Sequence, residues 1–234
     1  MWSTSSVAVI MIRLADVGHR WPVSLVVSDG RAPGIVLRPL GRRDRGAWEA
    51  LRRESLDYLA RWEPTPPDGV GNRVGFAGYV RAMNDEARSG TTLPFAIQVD
   101  GHLAGQVHLF GITRGSLLSA AAGYWVGPRF AGQGVTTRAL AELCDYAFGP
   151  MGLHRVEVNV RPENEASLAV VAHLQMRDEG VRQRYMHIEG RWCDHRTFAL
   201  TTEDCDGRRT ITRWHESQPS HQPHPRHTDR GPTA

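Results

Sequence analysis

Two glycines, Gly132 and Gly134, lie between a stretch with the composition of a strand and a stretch with the period of a helix. Upstream, Tyr124-Trp125-Val126 is aromatic and β-branched, and Gly127-Pro128 ends the ladder because proline brings no N–H donor. Downstream, Val135, Ala139, Leu140, Leu143, Ala147 and Phe148 recur with a helical period and form one apolar stripe. The connecting Arg129-Phe130-Ala131-Gly132-Gln133-Gly134 exposes backbone N–H groups that no glycine side chain covers. Such a row at the positive end of a helix is an anion site, and a pyrophosphate fits it. Arg129 and Arg138, at the two ends of the turn, offer charge-assisted bonds to it. The alternative reading is a tight strand-to-helix connection and nothing more. No Gly-Lys-Ser/Thr loop is present, since the chain has no lysine, and Thr137 stands where a dinucleotide fingerprint needs its third glycine.

The rest of the chain supplies a sheet for this turn. Trp21 to Val27 and Gly34 to Leu40 read as two strands around the turn Ser28-Asp29-Gly30, and Val7 to Leu14 as a short strand or arm. Asp44 is placed to cap a helix with an apolar face of Ala47, Trp48, Leu51, Leu56 and Leu59, stopped by the prolines from Pro64 on. A second helix is expected over 74–88. Phe95 to Val99 and Leu103 to Leu109 flank Asp100-Gly101, a hairpin signal, and a strand from Ser119 to Val126 completes a meander. Val156 to Val160 alternates strictly, so one face meets the core. Asn164 or Ser167 can cap a helix running to Met176, and two last strands meet at Glu189-Gly190. The predicted class is α+β, a mixed and mostly antiparallel sheet with helices on both faces.

Charge and composition divide the chain. Up to Asp206 there are 23 arginines against 23 acidic residues, so the formal charge of +3 sits beyond it. From Gly207 onward Arg, His, Pro, Ser, Thr and Gln dominate, and a disordered tail is expected over 207–234, after an arm and first strand over 1–33 and one domain over 34–206. A neutral body argues against a nucleic-acid footprint; the tail arginines leave RNA as an outside reading. Three widely spaced cysteines indicate neither a disulfide framework nor a zinc site, and no metal is expected. With no apolar run of about 20 residues, membrane spanning is not expected and a cytoplasmic location is.

Arg129-x-x-Gly132-x-Gly134 after Tyr-Trp-Val resembles the acetyl-CoA signature of the GCN5-related N-acetyltransferases (GNAT superfamily). Met151 to Val160, Arg161-Pro162-Glu163-Asn164-Glu165-Ala166-Ser167 and Glu189-Gly190-Arg191-Trp192-Cys193-Asp194-His195 resemble its branch that acetylates N-terminal alanine amines of ribosomal proteins. The resemblance runs from about Gly34 to about Leu200. It implies a GNAT-type acyl-CoA acyltransferase fold, acetyl-CoA as donor, and a protein or peptide N-terminus, such as that of a ribosomal protein, as acceptor, in a monomer or homodimer. Small-molecule amines, as in aminoglycoside acetyltransferases, and non-catalytic acyl-CoA binding remain the alternatives.

Carried over residue by residue, the resemblance places the pyrophosphate on Arg129, Gly132, Gln133, Gly134, Val135 and Thr136 or Thr137. It puts the pantetheine between a fourth strand at Tyr124 to Val126, with Trp125 and Val126 in contact, and a fifth at Arg155 to Val160, with Asn164 and Ser167 alongside. The N–H near Val126 would hold the developing oxyanion. Val171 stands where some relatives carry a general-acid tyrosine, which leaves Ser167, Tyr185 or water to protonate the thiolate. No carboxylate precedes Tyr124, so base candidates are Glu157, His108 and His187. Leu174-Gln175-Met176 departs from the family's Leu-Gly-Phe. Asp57, Tyr58, Trp62 and Glu63 offer an acidic and aromatic wall for a cationic amine, or else ordinary core and surface. Asp194 bridges the last hairpin or anchors that wall.

Overall fold

The computed structural model describes residues 21–69 and 74–217. The expected arm strand over 7–14 and the histidines beyond His215 lie outside them. Strands β1 (Leu25–Val26), β2 (Ile35–Pro39), β3 (Thr92–Val99), β4 (His102–Thr113), β5 (Ser119–Val126), β6 (Arg155–Val160), β7 (Arg177–Ile188) and β8 (Arg191–Thr201) form one sheet. Its order is β1-β2-β3-β4-β5-β6-β8-β7. Every pair is antiparallel except β5 with β6. That parallel pair requires a crossover, and the helix after the glycine turn supplies it.

Helices α1 (Arg45–Ala60) and α2 (Phe76–Ser89) pack Leu51, Phe76 and Val80 against Ala96 and Leu103. Helix α3 (Val135–Phe148) buries Val135, Ala139, Leu140 and Leu143 in a second cluster with Phe95, Ile97 and Val107. Ala96 alternates with Phe95 and Ile97 along β3, so the clusters occupy opposite faces of the sheet. Helix α4 (Glu165–His173) adds Val170 and Val171 to the α3 side. Asp100 and Gly101, both at positive φ (46° and 84°), make the expected tight turn between β3 and β4. Gly105 has no alternative, because a Cβ there would stand 2.1 Å from the Trp125 carbonyl oxygen at the irregular crossing of β3, β4 and β5. No helix among the described residues is long and apolar enough to cross a membrane.

Several local expectations are corrected. Leu56 is 57% exposed, and Ser55 takes the buried place on α1, its hydroxyl donating to the Leu51 carbonyl. Asp44 sits at the α1 N-cap without a side-chain cap bond. Its carboxylate accepts instead from Gly41 N and from both terminal nitrogens of Arg38. The stretch after Gly207 contains order that composition hid: beyond the short α5 (Thr202–Cys205), the helix α6 (Thr210–Ser217) buries Ile211 and Trp214 in the main core. Two large apolar residues three apart fall on one helical face and offset the ordering of a polar segment.

Candidate active site

Pairing between β5 and β6 stops at Ala122↔Val158. Beyond that point β5 runs on beside β4 as far as Val126, and β6 beside β8 as far as Val160, so the sheet opens between them. Gly127 N donates to Ala104 O on the β4 side. By strand alternation the N–H of Val126, one residue earlier, points the other way, into the opening. Tyr58 on α1 donates its hydroxyl to the Val126 carbonyl at 3.3 Å from that same side.

A cleft of about 820 Å³ continues from the opening over the glycine turn to α4, walled by Tyr58, Trp125, Gly132, Thr136, Asn164 and Trp214. Gly132 and Gly134 both adopt φ 72°, where a side chain would be strained. Gly134 is the N-cap of α3 and provides no side-chain cap, leaving the first-turn N–H groups to a ligand. Gln133 donates to the Arg129 carbonyl at 2.6 Å and braces the turn, while the Arg129 guanidinium lies over the Phe130 ring, exposed at its rim. Uncapped amides, two left-handed glycines and a free strand edge fit a diphosphate carrying an extended amide-bearing arm. Arg138 does not take part. It is 3% exposed and bidentate to Asp29, with further bonds to the Pro33 and Arg31 carbonyls. Trp214, which sequence analysis assigned to a tail, closes the turn from outside, 3.6 Å from where a Cβ on Gly134 would stand.

Asn164 caps α4 by accepting from Ser167 N at 3.0 Å, so its amide nitrogen remains for a ligand. Asn164, Ser167, Tyr124 and Trp125 line both the cleft and a second cavity of about 280 Å³ on the opposite side. The Tyr124 hydroxyl is buried beside Ser167 without a bond of good geometry; burial pushes its pKa up, opposed by the Ser167 hydroxyl. Val171 is 1% exposed in the core and has no access to either space.

The second cavity has an aromatic and imidazole floor. Gln106 Oε1 accepts from the indole N–H groups of Trp48 and Trp125, each at 3.3 Å. Indoles only donate, so the amide orientation is fixed and Gln106 Nε2 donates to His108 Nε2 at 3.3 Å. Burial lowers the His108 pKa to about 4. A neutral ring whose lone pair is already engaged is a poor base. Glu63 is the one carboxylate on this wall among the described residues, and both its oxygens accept from Arg52, the longer bond at 2.7 Å. Opposite it, Arg161 lies over Trp62 and donates to the Arg61 carbonyl. His195, 3% exposed on β8, completes the wall with Met186.

Two of the residues expected to be catalytic lie elsewhere. Glu157 is held by Arg155 and Arg182, both at 2.9 Å, and is not on the cavity wall. Tyr185 is 37% exposed, its hydroxyl accepts from Arg182, and its ring meets His195 edge-on from outside the cavity. His187 Nδ1 donates to the Thr65 carbonyl at 2.8 Å and straps the last hairpin to the loop after α1. Asp57 is exposed on the cleft side rather than beside Glu63. Asp194 accepts from Arg184 N at 2.7 Å, bridging the hairpin. Tyr124, Gln106 and His195 escaped sequence analysis; the signal for His195 was its alternation with Cys193, which puts both on the inner face of β8.

The family model described as an acetyltransferase (GNAT) domain matches residues 35–177. A probable N-acetyltransferase of Bacillus subtilis, YjcK, is 30% identical over 172 residues, covering 73% of this chain and 95% of the relative. The alanine N-acetyltransferase of ribosomal protein uS5 from Escherichia coli is 28% identical over 165 residues, covering 69% and 85% respectively. Among solved structures, Mycobacterium smegmatis RimJ in complex with CoA-disulfide superposes with a TM-score of 0.75 at 34% identity, covering 84% of this chain and 95% of that one.

Proposed function

The chain belongs to the GNAT acetyltransferase family, an N-acetyltransferase that takes its acetyl group from acetyl-CoA, and from that premise we propose that its acceptor is the N-terminal α-amine of a protein. The first residue of that protein is small, alanine foremost, and ribosomal proteins are the first class to examine. One observation carries this reading. The cavity across Tyr124 and Trp125 from the glycine turn measures about 280 Å³, room for a chain end rather than a large branched amine. Its carboxylate, Glu63, is already neutralised by Arg52, so nothing on the wall favours a polycation. The relatives' names point the same way, since the E. coli enzyme modifies an alanine terminus.

In this reading the N–H of Val126 stabilises charge on the acetyl oxygen, and the amides of Gly134 to Thr136 with Arg129 hold the diphosphate. Asn164 and Ser167 orient the thiol arm. An α-amine has a reference pKa near 8, so a sizeable neutral fraction attacks at pH 7. The test is mass spectrometry of protein N-termini from cells with and without the enzyme, followed by kinetics on alanine-starting peptides. Acetylation of such peptides with kcat/KM above about 10⁴ M⁻¹s⁻¹ is expected. Turnover of small amines alone, with peptides untouched, would defeat the acceptor assignment.

A further inference from the structure

We propose that His195 accepts the proton released by the incoming amine, with Nδ1 protonated toward its own strand and Nε2 presented to the acceptor cavity. The inference rests on amine acetylation in that cavity. Its Nδ1 lies 3.1 Å from the Cys193 carbonyl oxygen, which can only accept, so the ring hydrogen is on Nδ1 and Nε2 carries the lone pair. That is the one hydrogen bond of the ring among the described residues, and the ring lies on the cavity wall. The other candidates fall away: Glu157 is held by two arginines, Glu63 by Arg52, the His108 lone pair is taken by Gln106, and His187 lies off the cavity wall.

The surroundings keep His195 neutral. Burial lowers its pKa, and Arg161 lowers it further, against opposing contributions from the Cys193 carbonyl, Glu163 and Asp194; the Tyr185 ring covers its outer edge. A base with a reduced pKa still suffices, because the nitrogen becomes far more acidic as it acquires the acetyl group. As the C–N bond forms and the C–S bond breaks, the electron pair leaves on sulfur. The nitrogen's proton passes to Nε2, water supplies one to the thiolate, and His195 returns its own to water.

The decisive variant is His195→Asn, whose side-chain amide reproduces the Nδ1 donor to Cys193 and removes Nε2. On the substrate turned over by the wild type, kcat is expected to fall by about 10²–10⁴-fold with acetyl-CoA affinity by calorimetry and thermal midpoint unchanged. Added imidazole should restore part of the rate. Amine protonation gives both proteins a limb near pH 8; below about pH 6.5 the wild-type kcat profile should show a second, steeper limb that the variant lacks. Unchanged kcat in the variant, loss of donor affinity or folding in both His195→Asn and His195→Gln, or a wild-type profile without that limb would each overturn the proposal. If the wild type acetylates a small amine and no peptide, the acceptor reading fails while the same comparison, run on that amine, still decides the role of His195.

Discussion

The pair Asp29–Arg138 shows how far a side chain's surroundings decide its use. The place of Arg138 just past the glycine turn suggests a phosphate ligand, but it is the fourth residue of α3 and shares the inward face of the buried Val135, three residues before it. Here it points into the core, where it meets an aspartate 1% exposed from the turn between β1 and β2. Replacing Arg138 with methionine leaves that carboxylate buried without its main partner. Stability at pH 7 should fall by about 3–5 kcal/mol, measured by urea unfolding. Burial alone would raise the Asp29 pKa, yet the bonds from Arg138 and from Arg31 N outweigh it, and the folded value lies below the ordinary one. A depressed acid contributes stability that is present above its unfolded pKa of about 3.9 and is lost as pH falls through the folded value. The gap between wild type and Arg138→Met should therefore narrow below about pH 4, and a gap that stays constant to pH 3 would assign the whole effect to the lost carbonyl bonds.

At the scale of elements, α6 is the part composition misjudged and the part whose removal is most informative. Trp214 packs beside His173 of α4, under the Arg31 guanidinium and against the glycine turn. Arg209 adds bonds to Glu142 and Asp145 on α3, and Arg213 one to Gln175. Trp214→Ala should cost about 3–5 kcal/mol by loss of buried aromatic area and the cavity left behind. Because the ring also walls the donor cleft, acetyl-CoA affinity should fall as well; calorimetry that finds it unchanged would confine α6 to a scaffold role. The same contacts explain what was legible. The meander and the Asp100-Gly101 turn were readable because alternation and turn residues act locally, whereas the opening between β5 and β6 was implied only by the family resemblance. Gln175 was not: it occupies a left-handed position (φ 53°) where glycine is usual, and its compensation comes from Arg213, 38 residues away. His195 escaped for a related reason: alternation with Cys193 marks its inner face, but only the folded β8 shows that this face borders the cavity.

For the whole molecule, the open seam between β5 and β6 is the feature that ties donor to acceptor. A sheet interrupted at its centre leaves backbone donors and acceptors without partners, and the cost is recovered when an extended ligand bridges them. Acetyl-CoA should therefore stabilise the fold before any acceptor arrives, because the turn amides, the β5 edge and Asn164 are in place without one. At 100 times Kd, binding to the folded state alone contributes about 2.7 kcal/mol, which for a chain of this length raises the thermal midpoint by roughly 5–11 °C. Calorimetric scans with and without acetyl-CoA measure it. Gly134→Val should abolish the shift, since a β-branched side chain resists the positive φ (72°) and covers the amides proposed to hold the diphosphate. Free coenzyme A should reproduce most of the shift, as the sites named for the diphosphate and the arm do not touch the acetyl group. Should the midpoint rise only when donor and peptide are present together, the seam would be closed in the free enzyme, and the order of binding drawn from its geometry would be wrong.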